Sequence, residues 1–181
     1  MEDQELAKGV ASADETALCE FMGRFYAPLY RFLWHLSGSR VDAEDLASQA
    51  LVRARADIRH FRGDGALTPW MFKVARREWL RHSRRDALER RHDRLGEARM
   101  VAPPSEDFIV VQAALARLSQ DHRAAFLLIE VEGLTVAEAS TALGVPAGTV
   151  KSRCFFAKKR LRELLGPSYP EVSNHVQPVA D

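Results

Sequence analysis

The chain has 181 residues and is 46% hydrophobic, enough for one domain or two small ones with a packed core. Its formal net charge of +1 names no partner, and its two cysteines, Cys19 and Cys154, lie too far apart in sequence to suggest a disulfide framework or a Cys/His zinc cluster, so reduced cytoplasm is the expected compartment. There is no apolar run of about 18 residues to suggest a membrane span, and the acidic start MEDQELAKGV has no apolar signal core.

The predicted elements are all helical. Ser12 and Glu15 have the spacing of a capping box. After them Leu18, Phe21, Met22, Phe25, Leu29, Phe32, Leu33 and Leu36 recur at three- and four-residue steps, with Pro28 placed to kink or split the helix before Gly38 closes it. Asp42 is the expected cap of a second helix, with Glu44 and Asp45 in its first turn and Leu46, Ala50, Leu51 and Ala54 as its apolar side. FRGDGALT, residues 61–68, reads as a loop, and Thr68-Pro69 as the start of a third helix that runs into the ERRHDRLGE region. Residues 96–107, with a glycine and two prolines, read as a flexible linker. The division is therefore residues 1–95, a linker, residues 108–166, and a disordered tail at 167–181. The fold class is all-α, two small helical domains.

In the second half a helix from Phe108 to Leu118 precedes one capped by Ser119, which ends at Gly133. Thr135 and Glu138 form another capping box, Leu143-Gly144-Val145-Pro146 turns the chain, and a last helix runs from about Ala147 to Leu165. A short helix, a tight turn and a basic helix make a helix-turn-helix. Six Lys/Arg and no acid lie between Lys151 and Arg162, which suits phosphate and guanine edges. Lys151 and Arg153 can reach phosphates or guanine edges and Ser152 can bond to either, while Lys158 and Lys159, with Arg160 and Arg162, fall where such a helix meets backbone phosphate. Phe155 and Phe156 are adjacent, so one is expected to pack inward and the other to face outward; Cys154 reads as a small apolar filler.

A second basic stretch, Lys73 to Arg94, has aromatic residues nearby: Phe61, Trp70, Phe72 and Trp79. Cations with aromatic faces suit a single strand, although each aromatic on its own is more simply a core residue. The fourteen Lys/Arg of residues 53–99 stand against seven acids, so the positive field is local rather than global.

Three segments, VDAEDLASQALVRA (41–54), PWMFKVARREWLRHSRR (69–85) and LARLSQDHRAAFLLIEVEGLTVAEASTALGVPAGTVKSRCFFAKKRLRELL (115–165), resemble the extracytoplasmic-function sigma factors of bacterial RNA polymerase, the first two their region 2 and the third their region 4. The resemblance implies that Asp42, Glu44, Asp45, Leu46 and Gln49 dock on the β′ clamp helices of core polymerase, with the β flap a further contact. It implies that Phe61, Arg62, Trp70, Lys73, Arg76, Arg77 and Arg81 hold the strand and a flipped base of a −10 element. Thr149, Lys151, Ser152, Arg153, Phe155, Lys158 and Lys159 would engage a −35 element. An anti-sigma partner is implied, and no cofactor or metal. Arg77 stands where the family usually has Asn, Arg81 where it has Asp, and Ala47-Ser48-Gln49 departs from the usual Gln-Glu, which implies an unusual −10 sequence and unusual details of core binding.

Two other classes compete. An autonomous helix-turn-helix regulator needs a dimer helix or sensor domain, and the first hundred residues offer a basic aromatic helix instead. An enzyme would need a nucleophile, base and orienting group at one place; Asp42 reads as a cap and His82 and His92 lie in a basic helix, so no such set is expected.

Overall fold

The computed structural model describes residues 1–61, 66–89 and 106–166, and all the regular structure in them is helical. The helices are α1 (Asp3–Ala11), α2 (Glu15–Ser37), α3 (Arg40–Asp57), α4 (Leu67–Glu89), α5 (Glu106–Ala116), α6 (Gln120–Phe126), α7 (Val136–Leu143) and α8 (Ala147–Leu165). A 3₁₀ turn follows α3, and a π-helical turn, Leu127–Val131, continues α6.

The α2 stripe becomes core: Phe21, Phe25, Leu29, Phe32, Leu33 and Leu36 are buried, whereas Met22 faces out. Pro28 neither splits nor ends the helix, which runs unbroken to Ser37. A proline inside a helix costs about 3 kcal/mol. Burying Leu29, Phe32 and Leu33 just beyond it returns roughly 1.5–3 kcal/mol each, so the helix continues.

Three helix starts differ from the sequence expectation. The Ser12–Glu15 box does not form. Ser12 instead closes α1, its hydroxyl donating to the Gly9 carbonyl at 3.0 Å, and Asp14 caps α2 by accepting from the Ala17 amide at 2.8 Å. Aspartate one residue before the helix outcompetes the serine because Ala13 turns the chain with φ of 59°. Asp42 is likewise not the cap of α3: Ser39 is, and Asp42 supplies the amide that Ser39 accepts. Thr68 does not cap α4, which already begins at Leu67; the Leu67 amide donates to Asp3 Oδ2 at 2.6 Å. The cap of α4 is therefore borrowed from α1.

Helix α1 adds to the predicted elements. It buries Leu6, Ala7 and Val10 against α2. Gly9 allows the close approach, since a Cβ there would sit 2.5 Å from the Ala17 Cβ.

In the second half Ser119 caps α6, and the Thr135–Glu138 box caps α7 with both reciprocal bonds made. Gly144 takes the left-handed conformation, φ 68°, that ends α7. Ala139 and Leu143 of α7 are buried, as are Val150, Cys154, Ala157 and Leu161 of α8, a 4-3-4 spacing that faces one stripe inward.

The two helical groups pack on one another. Helix α7 lies against α4, and α2 meets α5, α6 and the π turn. Trp34 stacks on Phe108 with ring centroids 4.2 Å apart. Arg123 Nη1 donates to the Leu36 carbonyl at 2.9 Å, and Gln112 Nε2 lies 3.2 Å from His35 Nδ1. The expected boundary at 96–107 falls largely outside the described residues, as does the tail from 167; α5 already begins at Glu106.

Candidate nucleic-acid interface

Burial of one stripe of α8 fixes what the rest of the helix offers. Lys151, Ser152, Phe155, Phe156 and Lys159 are exposed, and Thr149, Arg153 and Lys158 are half-buried. The expectation that one phenylalanine packs inward is wrong. Phe155 is 64% and Phe156 53% exposed, in edge-to-face contact with each other, and His122 stacks on Phe156. Cys154, between the basic residues and the phenylalanines, takes the inward position instead.

Not every cation of α8 is free. Lys158 pairs with Glu130 at 2.9 Å, and Arg160 pairs with Glu163 at 3.0 Å. Arg153 Nη2 donates to Asp121 Oδ2 at 2.7 Å. Cys154 Sγ lies 3.7 Å from Glu130 Oε1, and burial, reinforced by that carboxylate, pushes its thiol up to about 11. It is the inert filler its surroundings suggest.

Helix α4 divides its residues in the same way. Phe72 and Trp79 are core, along with Met71, Val74 and Ala75. Trp70 is half-buried and meets Phe61 with ring centroids 5.8 Å apart; residues 62–65 between them in sequence, Arg62 included, lie outside the described residues. Lys73, Arg77 and Arg81 are exposed, and Arg81 holds Glu78 at 2.6 Å. Arg76 is half-buried, and its Nη2 donates to Asp121 Oδ1 at 2.7 Å. One carboxylate in the first turn of α6 thus takes an arginine from each basic helix. The aromatic pair and the outward cations form one surface of mixed stacking and charge, the composition suited to unpaired bases.

On α3 the exposed face carries Glu44, Asp45, Ser48 and Gln49, while Leu46 is in the core and Asp42 is half-buried. Val52 continues that face and is 71% exposed. The sequence carries a signal for it: Val52 is an apolar residue out of phase with Leu46, Ala50, Leu51 and Ala54. No group of three or more metal-ligating side chains occurs among the described residues, and none of their helices is long and apolar enough to cross a membrane.

Both surfaces fall in segments shared with known proteins. Residues 21–89 match the model of Sigma-70 region 2, and residues 109–161 that of Sigma-70, region 4. The chain is 33% identical over 167 residues to the ECF RNA polymerase sigma factor SigM of Mycobacterium tuberculosis, a match spanning 91% of this chain and 85% of that one. The sigma factor RpoE of Bartonella quintana, solved in complex with the anti-sigma factor NepR, superposes with a TM-score of 0.72 at 29% identity over 82% of this chain and 96% of that one. CnrH, solved with the cytosolic domain of CnrY, has a TM-score of 0.71 at 21% identity over 92% and 99%, a likeness of fold.

Proposed function

Because the chain belongs to the ECF sigma factors of RNA polymerase, we propose that it binds core polymerase and directs it to promoters, with α8 on a −35 element and α4 on a −10 element. The observation that carries this is the outer face of α8, where Lys151, Ser152, Phe155 and Lys159 point away from the buried stripe. Lys151 and Ser152 have the reach for base edges, Phe155 an apolar face for a thymine methyl, and Lys159 a charge for phosphate. Thr149, Arg153 and Lys158 flank that face.

On α4, Lys73, Arg77 and Arg81 supply charge beside the strand, and Phe61 and Trp70 supply ring faces for an extruded base, with Arg62 in the intervening segment. Unstacking a base costs a few kcal/mol, which stacking on an aromatic at roughly 1–3 kcal/mol per base offsets. The outer face of α3, Asp45, Gln49 and Val52 with Glu44 and Asp42, is the docking surface for the polymerase clamp. The role is binding without catalysis, exercised in the cytoplasm where polymerase acts. An anti-sigma protein, as in the RpoE–NepR complex, is the proposed regulator.

Run-off transcription with purified core polymerase on a promoter library tests the reading. Promoter-dependent initiation only when this chain is added is the expected result. Sequence-selective operator binding by the chain alone, with no initiation in the presence of core, would replace it with an autonomous regulator.

A further inference from the structure

Asp121 sits at a junction that neither basic helix explains by itself. It belongs to the first turn of α6, and its two carboxylate oxygens accept separately from Arg76 of α4 and Arg153 of α8, each at 2.7 Å. The carboxylate is 44% exposed, while the arginines it holds are 18% and 20% exposed. Gln120, its neighbour, donates to Ser83 Oγ at 3.2 Å, so this end of α6 is seated along α4.

A guanidinium carries five N–H donors, and one carboxylate shared between two guanidinium groups leaves several unmet. The structure shows the deficit: Arg76 Nε and Arg153 Nη1 are buried without a hydrogen-bond partner. The pairing therefore engages two cations with a single negative charge and satisfies neither. A phosphate, with more acceptor oxygens and more charge, would satisfy them better.

Geometry makes the two states exclusive. Two hydrogen bonds to one carboxylate hold the two Nη2 atoms within about 8 Å of each other. Elements centred near −10 and −35 lie about 25 base pairs apart, roughly 85 Å along B-form DNA at 3.4 Å per step. Arg76 and Arg153 cannot share Asp121 and also reach their own elements.

We propose that Asp121 is a latch. It ties the two DNA-facing helices together in the free protein and masks one arginine of each, and it is released when polymerase or DNA draws the two groups apart. The masking half of this rests on the reading of Arg76 as a contact to the −10 strand and Arg153 as a contact to the −35 element; the tying half does not.

The test uses the full chain and four proteins: wild type, Asp121→Asn, Asp121→Glu, and Glu163→Gln. The last removes the same charge from α8 at an exposed pair with Arg160, away from the junction. Small-angle scattering gives the radius of gyration, and fluorescence anisotropy gives affinity for a mixed-sequence 20-base-pair duplex at fixed salt. Asp121→Asn is expected to expand the chain and to bind the duplex about fivefold tighter than Glu163→Gln, the difference reporting two unmasked phosphate contacts. Asp121→Glu is expected to stay compact, and circular dichroism to match wild type in all four. An Asp121→Asn chain as compact as wild type overturns the latch, whatever transcription shows. Expansion with affinity no higher than that of Glu163→Gln overturns the masking and, with it, the DNA-contact role of these two arginines.

Discussion

Arg31 of α2 and Glu132, just past the π turn, form a two-point ion pair across the two helical groups: Arg31 Nε donates to Oε1 at 2.9 Å and Nη2 donates to Oε2. The Glu132 side chain is 2% exposed and that of Arg31 22%. Burial makes Glu132 harder to ionise, and the hydrogen bond to Glu132 raises the affinity of Arg31 for its proton. Removing one partner of a buried pair leaves a stranded charge. Arg31→Ala is expected to cost about 3 kcal/mol in urea unfolding, and the double change Arg31→Met with Glu132→Leu to recover most of it, since a well-packed apolar pair often equals a buried ion pair. A loss below about 0.5 kcal/mol for the single change, the range of an exposed pair, would show that the two groups are not held here.

Stability should fall on mild acidification because of His35. The imidazole is buried, and burial followed by the nearby Arg31 charge lowers its pKa from 6.5 to about 4, against a smaller upward pull from Gln112. Between those values the unfolded chain binds a proton that the folded one refuses. The stabilisation is complete above about pH 6.5 and is lost as pH falls toward 4, to a limit of about 3 kcal/mol. Glu132, with its raised pKa, works in the opposite direction. Chemical unfolding at pH 7 and pH 5 should show the drop in wild type and a shallower one in His35→Gln. Equal slopes would mean that His35 is not buried neutral.

The two thiols should separate cleanly. Cys19 is exposed, whereas Cys154 is buried with its pKa pushed up to about 11. At pH 8 roughly one Cys154 in a thousand is thiolate, so iodoacetamide should label only Cys19 in the native chain and both residues in urea. Rapid native labelling of Cys154, mapped by peptide mass, would contradict the packing of α8.

Along α8 the exposed residues should divide by kind of contact. Phe155→Ala is expected to weaken binding by about tenfold at a matched −35 element and little at unrelated duplex. Lys159→Ala should weaken all duplexes alike and lower the salt slope by about 1. Titrations across a salt series distinguish the two; a Phe155→Ala loss that is the same for every sequence would remove that residue from readout.

Features written in neighbouring residues are legible in the sequence by itself. The Thr135–Glu138 box, the Gly144 turn and the inward Cys154 each depend on a few consecutive positions, and each forms as the pattern predicts. Helix starts are less secure, because several capping residues compete within one segment: Asp14 wins over Ser12, and Ser39 over Asp42. The start of α4 depends on Asp3, 64 positions away, which no local pattern reports. The same distance problem hides the docking of the two groups. Arg31 and Glu132 are 101 positions apart, and Asp121 reads in sequence as an ordinary first-turn acid. The family resemblance suggests a duty for each basic helix, but not which cations are already engaged inside the protein.

Trp34 gives the joined form an optical signature. Its indole is 5% exposed, stacks on Tyr30 and on the Phe108 ring from the other helical group, and has the Arg40 guanidinium 4.7 Å from its ring centroid. Phe108 would leave with its own half, uncovering one face of the indole to water, while Tyr30 and Arg40 remain. With Trp70 and Trp79 replaced by phenylalanine, the emission maximum of the remaining tryptophan becomes a label-free readout of separation, fast enough for stopped-flow mixing with polymerase.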